Sequence, residues 1–369
     1  MTLDFLQDRI YASLVLGGMG DALGAPTEQW TIAEIFMAHG GLVQQFVAPA
    51  DDTFAGANAG LRAEVTDDAS QMYYLAAALT RADGTLDQAG WIACLLDWAD
   101  QSPKAGFMGP STAGIVQALR EGRDTATVGV IGTSRRKMTT VGTTNGAAMR
   151  AAPAGLLHPG NLDAACAQTL ITCLPSHDTD VAISAACAIA AACSAALTGA
   201  QLPQVMQAAL DGGARGEALA RRHARVVAGP NFLARARMAL QIAQTEQDDR
   251  SFLERLEREV GNSVLAAESV PAALAILAYA GADPLRTISL AASAGNDTDS
   301  IATMAGAIAG AMHGRAALPQ DMLADFCAVN ADYGLEALAA RLAQLALRNM
   351  TATAAAAAST APASASGQV

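Results

Sequence analysis

Two acidic clusters stand at the starts of apolar helical stretches of this chain. The first reads Thr66-Asp67-Asp68 and the second Asp297-Thr298-Asp299-Ser300. Together they supply carboxylates and hydroxyls only, an all-oxygen ligand set that suits Mg²⁺ or Mn²⁺ better than zinc or copper. Acidic residues also cap helix N-termini, so a single cluster would be ambiguous. Two clusters with the same pattern, far apart in the chain, favour a metal site.

Two other acidic positions compete for a place in such a site. Asp21 lies inside an apolar run, and a carboxylate there is costly to bury unless it is paired or hydrogen-bonded. Asp178-Thr179-Asp180 repeats the Asp-Thr-Asp pattern ahead of an alanine-rich stretch. Oxygen-ligand chemistry alone does not decide which Asp-Thr-Asp motif would hold a metal.

Two polar loops have the composition of phosphate-binding turns. They read Thr143-Thr144-Asn145-Gly146 and Gly109-Pro110-Ser111-Thr112. Hydroxyls, an amide and exposed N–H groups can hold a phosphate without lysine, although the same residues also form plain turns. The densest basic run is Arg135-Arg136-Lys137, and we do not assign it to the site.

The elements that must position these residues are predicted to be helices. Apolar residues recur at spacings of three and four, and β-branched alternation is short, so the sequence predicts an all-α, compact multi-helix bundle with the metal site at helix N-termini. Helices are expected over residues 4–23, 203–210, 215–226 and 322–347, among others. The glycines at 17, 20 and 24, and at 306, 310 and 314, are expected to permit close packing.

Composition indicates a globular, acidic protein. Of its 369 residues 52% are hydrophobic and 16% charged, and the formal net charge is −12. This charge opposes general nucleic-acid or anionic-membrane binding. Six scattered cysteines and an N-terminus unlike a signal peptide predict a cytoplasmic location. Residues 181–200 carry no charge, but their alanine content favours a buried helix over a membrane span.

The C-terminal segment differs from the rest of the chain. Residues 351–369 are almost wholly Ala, Ser, Thr, Pro and Gly, with nothing large to bury. The sequence therefore predicts one domain over residues 1–350 and a disordered tail over residues 351–369.

Five motifs in this order resemble the ADP-ribosylglycohydrolase family, which includes the dinitrogenase reductase activating glycohydrolases. The matching motifs are Gly17-Gly18-Met19-Gly20-Asp21-Ala22-Leu23-Gly24-Ala25-Pro26-Thr27-Glu28, Glu64-Val65-Thr66-Asp67-Asp68, Thr144-Asn145-Gly146-Ala147-Ala148-Met149-Arg150, Ser176-His177-Asp178, and Gly295-Asn296-Asp297-Thr298-Asp299-Ser300-Ile301-Ala302. They span almost the whole chain, and Ser300 stands where the family pattern leads us to expect threonine.

The resemblance implies a hydrolase that cleaves the glycosidic bond between an ADP-ribosyl group and its acceptor, with two divalent cations, Mg or Mn. Its partner would be an ADP-ribosylated protein or a small ADP-ribosyl or ribosyl conjugate. The implied metal ligands are Thr66, Asp67, Asp68, Asp297, Asp299 and Ser300. The implied catalytic residues are Glu28 and Asp67. The implied substrate-binding residues are Asp21, Gly109, Ser111, Thr143, Asn145, Gly146 and His177.

Two alternatives stay open at this point. A hydrolase of a free nucleoside or small ribosyl metabolite would need no grip on a diphosphate. A non-catalytic ligand sensor could use the same scaffold, since a fold alone does not fix function.

Overall fold

The computed structural model of the protein describes residues 1–360. Within that range it contains seventeen α-helices and no strand, so the all-α prediction is confirmed. The helices are α1 (Leu3–Gly24), α2 (Ile32–His39), α3 (Phe54–Ala57), α4 (Asp67–Arg81), α5 (Gln88–Gln101), α6 (Pro110–Arg120), α7 (Ala152–Leu156), α8 (Leu162–Cys173), α9 (Asp180–Ala196), α10 (Leu202–His223), α11 (Phe232–Thr245), α12 (Asp249–Glu259), α13 (Ala266–Tyr279), α14 (Pro284–Ala292), α15 (Thr298–His313), α16 (Gln320–Val329) and α17 (Leu335–Thr360).

Helices α1 and α15 form the closest pair, because glycines remove the side chains between them. A Cβ on Gly20 would lie 2.4 Å from the Ala302 carbonyl oxygen, and one on Gly310 would lie 2.2 Å from the Ala12 oxygen. Residue numbers fall along α1 from Gly20 to Ala12 as those of their partners in α15 rise from Ala302 to Gly310, so the two helices are antiparallel. This pair fixes the C-terminal end of α1 beside the N-terminal end of α15. The glycines at 20 and 310 permit close packing, as predicted, although the sequence did not predict that the two series meet.

Helix α10 corrects the prediction of two separate helices over residues 203–210 and 215–226. Gly212 and Gly213 lie between the two predicted ranges, and glycine lowers helix stability. They are used for packing instead, because a Cβ on Gly212 would lie 2.5 Å from the Cys187 oxygen of α9. α9 itself is almost entirely buried, as predicted for residues 181–200.

The single helix predicted over residues 322–347 is also wrong, since the chain turns between α16 and α17. Gly334 adopts a left-handed conformation, with φ of 58°, which ends the connecting turn. The Asn330 amide donates to the Ala63 oxygen at 2.8 Å and its carbonyl accepts from the Val65 N–H at 3.2 Å. Asn330 therefore ties this turn to the segment that leads into α4.

The six cysteines are all free, and all but the partly buried Cys327 are buried. Among residues 1–360, no helix combines the length and apolar character needed to cross a bilayer.

The C-terminal helix continues past the boundary that composition suggested. α17 runs to Thr360, ten residues beyond Met350, and the rest of the predicted tail lies outside the described residues. We expect a chain ending at Met350 to melt at the same temperature as the full chain, because Ala346 is the last buried residue of α17 among residues 335–353, whose burial the structure describes. Differential scanning calorimetry of the two chains checks this.

A chain ending at Arg341 is the matched control for this truncation. It would lose Leu342, Ala343, Leu345 and Ala346, all fully or almost fully buried, and should melt several degrees lower. A comparable drop for the chain that ends at Met350 would show that residues 351–369 contribute to the fold.

Candidate active site

Three chain segments bring the acidic motifs together. The loop after α1 pairs with the loop before α15, since the Gln29 N–H donates to the Asn296 oxygen at 2.7 Å and the Asn296 N–H donates to the Trp30 oxygen at 2.8 Å. Glu28 thereby lies beside Asp297. One carboxylate oxygen from each of Glu28, Asp297 and Asp299 lies within 4.8 Å of the others.

The start of α4 closes the other side of a pocket around this cluster. The lining residues, grouped in chain order, are Glu28, Phe54, Asp67, Asp68, Phe107, Gly109, Pro110, Ser111, Thr112, Thr144, Asn145, Gly146, Met149, Val264, Asp297, Asp299 and Ser300. Both predicted catalytic residues are among them, as are five of the six predicted metal ligands. Four of the seven predicted substrate-binding residues also line the pocket, namely Gly109, Ser111, Asn145 and Gly146.

The carboxylates of the pocket lack cationic partners within the described part of the chain. Oδ1 of Asp68 and Oδ1 of Asp299 are buried without any hydrogen bond. Buried polar atoms are nearly always hydrogen-bonded or bound to an ion, and a hard cation would satisfy both oxygens. The donor set therefore fits a metal ion.

Burial and mutual repulsion keep these carboxyls from ionising freely. Burial, followed by the charge of Asp299, raises the pKa of Asp297 to about 8. The same two causes, with Asp297 next, raise the pKa of Glu28 to about 10. The pKa values of Asp67 and Asp68 are raised well above the usual range, first by burial and then by Asp299. A bound cation would reverse this by favouring the charged forms.

These shifts predict how the stability of the metal-free protein depends on pH. Burial raises the pKa of Asp299 to about 6, and that of Asp297 to about 8, from 3.8. A raised folded-state pKa contributes stability at low pH that is lost as the pH rises toward that pKa. The melting temperature of metal-stripped protein should therefore fall between about pH 4 and pH 8.

The check is a series of melting curves for stripped protein at several pH values, with and without Mg²⁺ or Mn²⁺. The cation should raise the melting temperature more at the alkaline end, where the carboxyls are charged. A flat profile that no cation alters would count against a coupled acidic cluster.

Asn145 holds the acidic cluster against the neighbouring wall. Its side-chain N–H₂ group donates to the Ser269 hydroxyl at 2.9 Å and to the carboxylate of Asp297. Its backbone N–H donates to the Val264 oxygen at 2.8 Å. The side-chain hydrogen bond to Asp297 fixes the position of that carboxylate. Asn145 therefore contacts the acidic cluster and also lines the pocket.

Asp21 does not reach the pocket, although the sequence placed it among the substrate-binding residues. It is fully buried, and its carboxylate accepts from the Thr66 N–H at 3.0 Å, the Thr66 hydroxyl at 2.8 Å and the Ala69 N–H at 2.9 Å. These bonds use both of its oxygens at the start of α4. Asp21 therefore positions the Thr66-Asp67-Asp68 motif from behind.

Thr66 is the predicted metal ligand that does not line the pocket. It is the N-cap of α4, and its hydroxyl accepts from the Asp68 N–H at 3.3 Å while donating to Asp21. The Thr66 hydroxyl oxygen therefore faces the first turn of α4.

Thr143 and His177 also lie behind the pocket wall. The Thr143 hydroxyl donates to the Thr140 oxygen at 3.1 Å, whereas the adjacent Thr144 lines the pocket. His177 is fully buried, and its Nε2 lies 3.0 Å from the Thr144 hydroxyl. A Cβ on Gly146 would lie 2.9 Å from that nitrogen. Gly146 therefore makes room for the imidazole, and Thr144 separates His177 from the pocket.

The competing Asp-Thr-Asp motif lies apart from this cluster. Asp178 forms ion pairs with Lys137 at 3.1 Å and Arg225 at 2.7 Å, and these cations lower its pKa despite its partial burial. Asp180 accepts from the Val227 N–H at 3.1 Å. A carboxylate already paired with two cations is a poor metal ligand. The structure therefore favours Asp297-Thr298-Asp299 as the metal-binding motif.

Several residues of the pocket wall were not among the site residues predicted from the sequence. They are Phe54, Phe107, Pro110, Thr112, Thr144, Met149 and Val264. Phe54 and Phe107 meet edge to face with ring centroids 5.9 Å apart. Thr112 and Thr144 belong to the two polar loops, but nothing in those motifs shows which hydroxyl faces inward. No pattern in the sequence marks the apolar members.

The chain is similar to several known proteins. A family model described as ADP-ribosylglycohydrolase matches residues 2–352. The chain is 33% identical over 331 residues to "Uncharacterized protein YegU" of Escherichia coli (strain K12), covering 88% of this chain and 93% of the relative. It is 39% identical over 89 residues to ADP-ribosylhydrolase ARH3 of Bos taurus, covering 21% and 24% of the two chains.

A solved structure shares the fold. It is titled "ADP-ribosylglycohydrolase-related protein complex", with a TM-score of 0.65, 22% sequence identity, and coverage of 93% of this chain and 99% of that one. At this identity the likeness concerns the fold alone.

Proposed function

Because the chain belongs to the ADP-ribosylglycohydrolase family, we propose that it is a metal-dependent hydrolase that cleaves the glycosidic bond between an ADP-ribosyl group and its acceptor. The observation that carries the proposal is the convergence of five carboxylates on one pocket, with two buried oxygens that have no hydrogen bond. The substrate would be an ADP-ribosylated protein or a small ADP-ribosyl conjugate.

The ligand set supports two divalent cations of the Mg²⁺ or Mn²⁺ class. Asp67, Asp68, Asp297, Asp299 and Ser300 offer oxygen atoms at the pocket surface. Thr66 would join them through an oxygen lone pair, since its hydroxyl hydrogen is donated to Asp21. When bound, such cations hold sugar hydroxyls and lower the pKa of a water molecule.

Glu28 is the proposed proton-transfer residue. Its side chain lies at the rim of the carboxylate cluster, half-buried, and burial raises its pKa to about 10 in the metal-free pocket. Neighbouring positive charge would bring that pKa down toward neutrality, where a general acid or base works best. Glu28 would take a proton from the attacking water or give one to the leaving atom.

The bond changes of the proposed reaction are simple. The bond from the anomeric carbon to the acceptor breaks, the water oxygen bonds to that carbon, and the acceptor leaves with the electron pair and a proton. Positive charge builds on the ribose ring as the bond breaks. The carboxylates around the cluster, Asp67 among them, are placed to stabilise that charge.

The size of the cavity bears on the part of the substrate that is enclosed. Its volume is ≈ 80 Å³, below the several hundred Å³ that is typical of pockets for drug-sized ligands. A cavity of this size does not enclose a whole ADP-ribosyl group. The rest of an ADP-ribosyl group would lie along the loops at the mouth, where the N-terminus of α6 offers N–H groups to a phosphate.

The same volume favours one second candidate, the hydrolysis of a free nucleoside or small ribosyl metabolite. Turnover assays of purified protein with Mn²⁺ on ADP-ribosyl-arginine, ADP-ribosyl-serine, O-acetyl-ADP-ribose and free nucleosides separate the two. We expect release of ADP-ribose from at least one conjugate. Hydrolysis of nucleosides alone would replace the proposal with the second candidate, and no turnover of any substrate would contradict both.

A further inference from the structure

Arg150 is a completely buried cation, and it forms no ion pair with any of the side chains that the structure describes, residues 1–353. Its two terminal nitrogens donate to the Gln71 Oε1 at 2.8 Å and the Ser176 Oγ at 3.2 Å. Its guanidinium carbon lies 4.9 Å from the centre of the Trp91 ring. A buried charge without a counter-ion destabilises the folded state. Packing alone therefore does not explain why an arginine stands at this position.

One hydrogen-bond chain leads from Arg150 to the acidic cluster. Arginine can only donate, so the Gln71 atom that faces it must be the carbonyl oxygen. The amide N–H₂ of Gln71 then points away from Arg150 and donates to the Asp67 Oδ2 at 3.1 Å. Arg150 thus fixes which end of Gln71 meets Asp67, and the carboxylate there can only accept.

A second chain leads from Arg150 to the opposite wall. The Ser176 oxygen accepts from Arg150 at 3.2 Å and lies 2.8 Å from the His177 Nδ1. Among the described hydrogen bonds Nδ1 is the acceptor available to the Ser176 hydrogen, so we assign that hydrogen to Nδ1. Burial, followed by the charge of Arg150, lowers the pKa of His177 to about 3, so the ring is neutral. With Nδ1 accepting, the single ring proton sits on Nε2.

The proton on Nε2 determines the role of Thr144. His177 Nε2 lies 3.0 Å from the Thr144 oxygen, so the imidazole donates and the hydroxyl accepts. The hydroxyl hydrogen of Thr144 is then free to point into the pocket that Thr144 lines.

We propose that Arg150 is a positioning residue that directs both hydrogen-bond chains outward, one ending at the Asp67 carboxylate and the other at the Thr144 hydroxyl. The pocket then presents an acceptor on one wall and a donor on the other. The Thr144 hydrogen then has a ligand acceptor, such as a sugar or phosphate oxygen, as its partner in the pocket. The identity of the ligand rests on the proposed function. The directions of the two hydrogen-bond chains do not depend on it.

The first test is the tautomer of His177, read from the ring ¹⁵N shifts of histidine-labelled protein, with His177→Gln to assign the signal among five histidines. The proposal requires the Nε2–H form in the wild type and an increased Nδ1–H population in Ser176→Ala. Ser184→Ala is the matched control, because Ser184 is a buried serine that donates to the Gly213 oxygen instead, and it should change nothing. An Nδ1–H form in the wild type would overturn the proposal.

The second test separates the two chains by calorimetric Mn²⁺ binding. Gln71→Met should weaken Mn²⁺ binding about tenfold, the scale for a lost group that supports a ligand, and leave the His177 tautomer as in the wild type. Ser176→Ala should alter the tautomer and leave Mn²⁺ affinity within about twofold, since its chain does not touch the ligands. Arg150→Met should change both readouts.

Equal Mn²⁺ affinity in wild type and Gln71→Met, or an unchanged tautomer in Ser176→Ala, would overturn the outward direction of the corresponding chain. If Arg150→Met does not fold, Gln71→Met and Ser176→Ala still test the direction of each hydrogen-bond chain. Neither readout involves turnover, so failure of the proposed activity and failure of this inference are distinguishable.

Discussion

Asp299→Asn should bind Mg²⁺ or Mn²⁺ at least about tenfold to a hundredfold more weakly than the wild type, since even loss of a supporting second-sphere group has an effect of that size. Asp299 contributes a buried oxygen without a hydrogen bond, and its charge raises the pKa of each acidic neighbour in the pocket. Asparagine keeps the shape but removes the charge and one anionic oxygen. Titration calorimetry on metal-stripped protein measures the difference directly.

Asp283→Asn is the control for Asp299→Asn. Asp283 also stands at a helix N-terminus, where its side chain accepts from the Arg286 N–H at the start of α14, but it does not line the pocket. Its replacement should leave cation binding unchanged. Wild-type cation affinity in Asp299→Asn would show that Asp299 is a helix-capping carboxylate and not a ligand.

Glu28→Gln should lower turnover about a hundredfold or more, the usual scale for loss of a general acid or base. Glutamine keeps the size and much of the hydrogen bonding of Glu28 but cannot exchange a proton. Because Glu28 lies next to Asp297 and Asp299, cation affinity must be measured on the same preparation. A large loss of turnover with little change in affinity or melting temperature supports proton transfer.

Other outcomes for Glu28→Gln assign the residue differently. Weaker cation binding with partial recovery in excess Mn²⁺ would make Glu28 a metal ligand. Near-wild-type turnover would remove it from catalysis and leave the acidic cluster intact. Glu34→Gln is the matched control, since Glu34 is an exposed residue of the capping box at the start of α2, and it should keep full turnover.

Local patterns in the sequence were sufficient to predict the all-α fold and to mark the two acidic motifs, whereas the choice between the two Asp-Thr-Asp motifs needed the family resemblance. The glycines of α1 and α15 predicted a close backbone approach, and this approach brings Glu28 to the start of α15. The two acidic motifs each precede an apolar helical stretch, which predicted that they lie at helix starts, and α4 and α15 begin there. Each of these features depends on residues within a few turns of one another, so periodicity and spacing reveal it.

Features that depend on tertiary contacts could not be predicted in this way. Asp21 and Asp67 are both buried acids in matching motifs, and only the packing of α1 against α4 shows that Asp21 lies behind the pocket. Thr143 and Thr144 are adjacent threonines. Their orientation is set by pairing with the segment around Leu265, which is over a hundred residues away. Gly212 resembles a helix break until the neighbouring helix is seen against it.

The most direct test of a metal-dependent glycohydrolase is the release of free ADP-ribose from ADP-ribosyl conjugates by chelator-treated protein, followed before and after addition of Mn²⁺. The account predicts no release above background before the addition, and sustained release after it that is lost in Asp299→Asn. Equal release in the presence of chelator, or no release from any conjugate by protein that calorimetry shows to have bound Mn²⁺, would contradict it.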